Sequence, residues 1–292
     1  MKKVLIFSGF LAICILLLSG CMNSNKQNKS LEQKANTEIS YIDSELISIA
    51  NELNNINYAN YKLDVQEIQI QAAESEDSKS EQGSDKQESE GKNSKESGKE
   101  EEKNGKIFAM KANNILGKES EIDWDNLKSK IETFYSTWNT IERDLKELGV
   151  SEELLSEFER NLDFTAVAIK NEDKNQTLEG VINLYKQLPE FLGTYGIDKE
   201  KNVLESKYSL LVCYRYADLE DWEQLKNSIS DLKMSVSNIS GQKSEYKGKG
   251  VNISNSTTIV NEMSSSSDLK EKDIFFIKYK NLMQELNIIL SI

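Results

Sequence analysis

An all-α fold is predicted by three observations. Apolar side chains recur at alternating steps of three and four through most of the chain, the spacing of one face of an amphipathic helix. Asp or Ser stands ahead of most of these stripes, where a helix N-cap belongs, and only a few residues separate one stripe from the next. Proline, the strongest helix breaker, occurs once in 292 residues. Short connections between long helices make antiparallel neighbours. The architecture predicted is therefore an up-and-down helical bundle or a short helical solenoid.

The first helix is read from Ile39, Ile42, Leu46, Ile49, Leu53 and Ile56, within an N-terminal unit over 37–71. The asparagine-rich "NNINYANY" should end it. In "YKLDVQEIQIQ" the apolar residues partly alternate, and "KIFAMKANNIL" follows further on, so 61–71 and 106–116 are read as a small β-hairpin. Between these strands, residues 74–106 carry no large apolar side chain, cannot offset the entropy of ordering, and are expected to be a disordered acidic insert. Closing so long a loop costs little, because the penalty grows with the logarithm of length.

The main bundle is read over 107–239. Trp124, Leu127, Ile131, Phe134, Trp138, Ile141, Leu145 and Leu148 form an unbroken seam with Asp123 as N-cap and Gly149 as terminator. Ser151 caps the next helix, with Leu155, Phe158, Leu162, Ala166 and Ile169 on its face. Asp173 caps a third, which Pro189 should kink or restart. Asp198 and Asp221 open two more. Residues 240–266, rich in serine, glycine and asparagine, read as a polar linker, and 267–292 as a C-terminal helix with a wide apolar face. Helix starts recur loosely, but no tetratricopeptide consensus is present.

The chain has no histidine, which excludes Ser-His-Asp and Cys-His systems and histidine metal sites. It has no Cys-x-x-Cys, phosphate-binding glycine loop or dinucleotide fingerprint. "DKNQTLEG" from Asp173 places oxygens at Asp173, Asn175 and Thr177 as a calcium loop does. Leu178 and Leu184 occupy the positions of that loop's glycine and bidentate glutamate, so the segment reads as a helix cap. Acidic pairs at Asp123/Asp125 and around Asp218, Glu220 and Asp221 sit at helix starts, where the dipole favours them. Cys213, in "LLVCYRY", reads as a small buried hydrophobe. The tyrosines at 185, 195, 208, 214 and 216 are dense enough to line an interhelical groove. No enzymatic activity, cofactor or metal is predicted.

The amino terminus carries the sharpest signal. Lys2 and Lys3 precede an apolar run from Val4 to Leu18 that spans about 22 Å as a helix, short of the roughly 30 Å hydrocarbon core. A positive start and a short apolar run ending in small residues describe an export signal over 1–20. Leu18-Ser19-Gly20-Cys21 resembles the lipobox of bacterial lipoproteins. That resemblance implies a diacylglycerol thioether on Cys21, cleavage between Gly20 and Cys21, and a lipid-anchored protein on the extracytoplasmic face of the cell membrane. Two acyl chains anchor stably where one binds only marginally. Residues 21–36 are then a lipidated flexible tether. Loss of Lys2 and Lys3 moves the formal charge from −13 to −15, which argues against nucleic acid and against anionic lipid surfaces as partners. With Cys14 removed and Cys21 acylated, Cys213 has no intrachain disulfide partner.

The body is similar to uncharacterised helical lipoproteins of Gram-positive bacteria in "STWNTIERDL", "NEDKNQTLEGVINLYKQLPEFL" and "DWEQLKNSIS". The resemblance implies no activity. Two function classes follow: a surface lipoprotein whose helices bind an envelope protein, or a lipoprotein holding a small molecule or cation in an interhelical groove.

Overall fold

The computed structural model describes residues 29–56 and 121–290. Among the described residues it is all-α, with eight helices and no strand. The signal segment, Gly20, Cys21, the hairpin positions near 61–71 and 106–116 and the insert at 74–106 lie outside the described residues.

Helix α1 covers 29–52. It is followed by α2 (Trp124–Glu147), α3 (Glu152–Lys170), α4 (Lys174–Thr194) and α5 (Asp198–Asp218). Next come α6 (Trp222–Gly241), a 3-10 turn at Lys243–Glu245, α7 (Gly250–Leu269) and α8 (Lys272–Leu290). Four caps form as the residue types dictate. The carboxylates of Asp123, Asp173 and Asp221 and the Ser151 hydroxyl each accept from the backbone N–H three residues on. Asp198 begins α5 without capping it; its N-cap is Ile197, which makes no side-chain hydrogen bond.

Three expectations are corrected. Residues 29–36, read as tether, are the first two turns of α1. Pro189 does not restart its helix, because α4 runs through it to Thr194. Twelve residues of α4 are buried, so packing outweighs the one backbone hydrogen bond that proline removes. Most of 240–266, read as a linker, is α7, which buries Ile253, Ser256, Val260, Met263, Ser266 and Ser267. Serine can be buried there because its hydroxyl is satisfied by its own helix: Ser256 donates to the Asn252 carbonyl at 2.9 Å and Ser266 to that of Met263 at 2.9 Å.

Each helix from α2 to α8 packs on the next, and α8 returns to α5, so α5–α8 close into a four-helix ring while α2–α4 extend from it as a row. Gly180 permits the close approach of α3 and α4, since a Cβ there would collide with the Thr165 side chain. The aromatic core of the row is continuous: Trp138 stacks on Phe158 at 4.2 Å, and Phe158 meets Phe191 at 5.5 Å.

Helix α1 lies lengthwise between the two parts. Near its start Lys34 pairs with Asp144 of α2, and near its end Lys130 of α2 pairs with Glu52, so the two helices are antiparallel. Lys207 and Tyr214 of α5 reach Asp43 and Ala50 in ascending order, so α5 runs parallel to α1. No residue from Tyr41 to Ile56 is exposed. The chain leaves α1 and re-enters at α2 at one end of the molecule, where Asn126 donates to Glu52 at 3.0 Å. The opposite end holds the start of α1.

Candidate functional site

The groove that receives α1 is built from α2, α4, α5 and α8. Its floor is apolar, with Ile42, Leu46, Ile49 and Leu53 buried against it. Polar groups fix the register. Lys207 Nζ, fully buried, donates to Asp43 Oδ2 at 2.6 Å, and the Tyr185 hydroxyl donates to Asp43 Oδ1 at 2.5 Å. About two and three turns on, the Tyr214 hydroxyl donates to the Ala50 carbonyl at 2.7 Å and accepts from Asn54 Nδ2 at 2.6 Å. The Tyr279 hydroxyl donates to Asn51 Oδ1 at 3.0 Å. At the foot of the ladder Lys174 Nζ donates to Asn54 Oδ1 and Asp218 Oδ1, both at 2.8 Å. A charge in a dry interior is tolerated only when paired and hydrogen-bonded, and Asp43 meets both conditions.

The five tyrosines therefore divide. Tyr185 and Tyr214 line the groove, and the space in front of them is filled by α1. Tyr195 also faces α1: burial, then the charges of Glu38 and Glu32, push its phenol well above the usual tyrosine range. Its hydroxyl has no hydrogen-bond partner among the described residues. Tyr208 and Tyr216 are half-buried against the core, outside this ladder. Asp173 caps α4, and the Thr177 hydroxyl donates to the Asp173 carbonyl at 2.7 Å, so the faint calcium-loop pattern is spent on a helix start. Burial drives the Cys213 thiol far up, which leaves it without thiolate character.

Around the start of α1 the groups are more exposed and more acidic. Asp144 accepts from Lys34 and from Arg143. Burial raises the Glu38 carboxyl to about 6, and sharing a proton with Asp144 adds to the rise, while Lys34 opposes it. Burial would raise Asp144 too, but its hydrogen bonds from Lys34, Glu38 and Arg143 hold it below the usual carboxylate range. Beside them Asn36, Ser40, Leu192, Glu200, Leu204 and Leu290 line a cavity of about 50 Å³.

A separate cleft of about 250 Å³ lies between α6 and α7, lined by Lys233, Ser237, Ser240, Thr257 and Asn261 over Val236 and Val260. It is polar at the rim and apolar at the base. No group of three or more His, Cys, Asp or Glu among the described residues is placed to hold a metal ion.

Sequence reasoning missed Asp43, Asn51 and Lys207. A signal exists for two of them, Asp43 and Lys207. Asp43 falls in the row Ile39, Asp43, Leu46, Ala50, a second apolar stripe beside the first, and Lys207 stands between Leu204 and Leu211 on the buried face of α5. A lone charge at a stripe position announces a buried partner elsewhere. No family model, no curated protein and no solved structure matches this chain.

Proposed function

We propose that this chain is a lipoprotein of the extracytoplasmic membrane face, anchored by diacylglycerol on Cys21, whose helical body is an interaction module for an envelope protein. The observation that carries the reading is Leu18-Ser19-Gly20-Cys21 directly after a short apolar run with two lysines before it. Among the described residues no helix is long and apolar enough to cross a membrane, which is compatible with a lipid as the attachment. The body's interior is given over to packing α1, and its chemistry-bearing groups are bound to one another, which favours surface recognition over catalysis.

The test is Cys21→Ser in the full chain. Incorporation of labelled fatty acid should vanish and the precursor should remain uncleaved; unchanged labelling would overturn the anchor. For the interaction module, in-cell crosslinking followed by mass spectrometry should recover the same envelope protein from independent crosslink positions.

A second reading, a lipoprotein that binds a small molecule or cation in an interhelical groove, has one observation behind it, the cleft between α6 and α7. Its hydroxyl, amide and ammonium lining, without a carboxylate, suits a neutral hydroxylated or an anionic molecule better than a cation. A ligand that raises the melting temperature of the intact chain but not of Thr257→Val would move this reading ahead.

A further inference from the structure

Helices α6 and α7 take no part in the groove of α1, and their outward side is unlike the rest of the surface. From Asn227 to Gly241 and from Val251 to Ser265, three of the sixteen exposed positions are charged. On α3 seven of the ten exposed positions are charged. Serine, threonine and asparagine make up most of the remainder on α6 and α7. The three most exposed large apolar side chains among the described residues, Val251, Leu269 and Met234 at 72, 65 and 63%, flank the same side. The three charges stand off its centre or reach out of it. Asp231 is turned toward α5, where its charge acts on Cys213. Glu262 lies on the α8 side, where Lys278 donates to its carbonyl at 2.7 Å. Lys233 rims the cleft between the two helices, and its flexible stem carries the ammonium out to water. Few charges, with exposed apolar groups beside them, are the composition of an interface.

We infer that this face joins two copies of the chain. At a formal charge of −13 two copies repel each other, and a side nearly free of charge is where they can meet with least repulsion. Hydroxyls and amides both donate and accept, so the face can hydrogen-bond to a copy of itself. A two-fold pair demands such self-complementarity, and a face of carboxylates or of ammoniums alone lacks it. Two neighbouring helices of twenty residues offer a face about 30 Å long and about 20 Å wide. That is about 600 Å² per copy, the lower end of what a specific pair buries.

The direction of the helices limits how the copies pair. Ser240 meets Thr257, and Lys226 meets Asp268, so α6 and α7 lie side by side and antiparallel. A two-fold axis across the helices sets α6 on α6 and α7 on α7 of the copy, and it sends the two starts of α1 in opposite directions. An axis along the helices sets α6 of one copy on α7 of the other and keeps both starts of α1 on one side. Only the choice of axis rests on the anchor reading proposed above, because two anchors in one membrane require the second arrangement. Ser237 of one copy then faces Asn261 of the other, since both line the cleft at the level of Ser240 and Thr257.

The test uses the chain from residue 21 with Cys21→Ser, which carries no lipid, so its outcome is separate from that of fatty-acid labelling, which speaks only to the anchor. Sedimentation equilibrium should show a reversible monomer–dimer equilibrium. About 0.5 M salt should tighten it, because the repulsion between acidic copies is screened and a nearly uncharged interface has few ion pairs to lose. Ser237→Glu and Asn261→Lys should each weaken the dimer about tenfold or more with the melting temperature unchanged. An equimolar mixture of the two should restore a one-to-one dimer, since the new carboxylate and ammonium then face each other. Arg160→Glu, on the charged side of α3, should leave the equilibrium where it was. A chain still monomeric at millimolar concentration would overturn the pairing, whether its own residues 57–120 or another protein covers the face. So would a dimer that both substitutions leave intact, or one that salt dissociates. Rescue of Asn261→Glu by Asn261→Lys, in place of the mixed pair, would set α7 against α7 and overturn the side-by-side arrangement.

Discussion

Helices α1 and α7 are of similar length and opposite character. From Tyr41 on, α1 is covered on every side, and polar groups from α4, α5 and α8 reach into it. Helix α7 buries one narrow stripe, half of it serine, and its outward positions are exposed. Its partners are local: α6 and α8, its chain neighbours, with Asn252 and Asn255 donating to Glu285 of α8 at 2.7 and 2.9 Å. The number of sides on which a helix is covered, more than how apolar it is, separates a central element from a peripheral one. Asp43 and Asn51 make α1 more polar inside than its stripe suggests, while small serines let α7 dock with three large apolar residues.

The comparison breaks most sharply at Lys207. Lys207→Met leaves Asp43 buried without its cation and should destabilise the chain by about 3–5 kcal/mol in urea unfolding. The pair Asp43→Leu with Lys207→Met should recover most of that, because removing both charges leaves none uncompensated. If the single change costs under about 1 kcal/mol, water reaches Asp43 and α1 is not the dry centre described here. In α7 the matching change is Met263→Ala, with an expected loss near 2 kcal/mol, the lower end for core truncation, because an edge helix can settle into the space.

A smaller gain is expected at Gln187. It is 2% exposed, and neither amide atom has a hydrogen-bond partner among the described residues. Gln187→Met keeps the volume and removes two unsatisfied groups, so stability should rise by about 1 kcal/mol. A loss would show that the Gln187 amide is satisfied in the folded chain.

The smallest effect is a pH dependence. The Glu38 carboxyl is raised to about 6 in the folded chain from an ordinary 4.5. The folded state therefore holds its proton more tightly, and the contribution of this group to stability falls as pH rises between those values. Comparing melting temperatures at pH 4.5 and pH 7, Glu38→Gln should lose less stability than the unaltered chain. An identical slope in both chains would assign the drop to other carboxylates.

Most of the fold was legible because α2 through α6 obey local rules. Their stripes and the caps at Asp123, Ser151, Asp173 and Asp221 are written in short windows. What local rules cannot convey is the number of neighbours. Pro189 looked like a break, but the burial of α4 holds the helix through it. The serines of α7 looked like a linker because propensity scores the free helix, whereas the hydroxyls turn back onto their own carbonyls once it docks. The tyrosines were legible as a group, but their partner was the chain's own first helix, 142 residues away from Tyr185. Cys21 and Gly20 lie outside the described residues, so the attachment rests on its motif and on the labelling experiment.

The lengthwise seat of α1 has a mechanical consequence. In a lipid-anchored chain, any pull between membrane and body enters at residue 29 and runs down the axis of α1. Its contacts, from Lys34 with Asp144 to Asn54 with Lys174, lie side by side along that line. Force so directed shears them together instead of peeling them one after another. The same contacts pulled from the Ile56 end and across the axis would open in sequence. A body tethered that way would resist extraction by the whole length of α1, with the load passed to the helices that flank it.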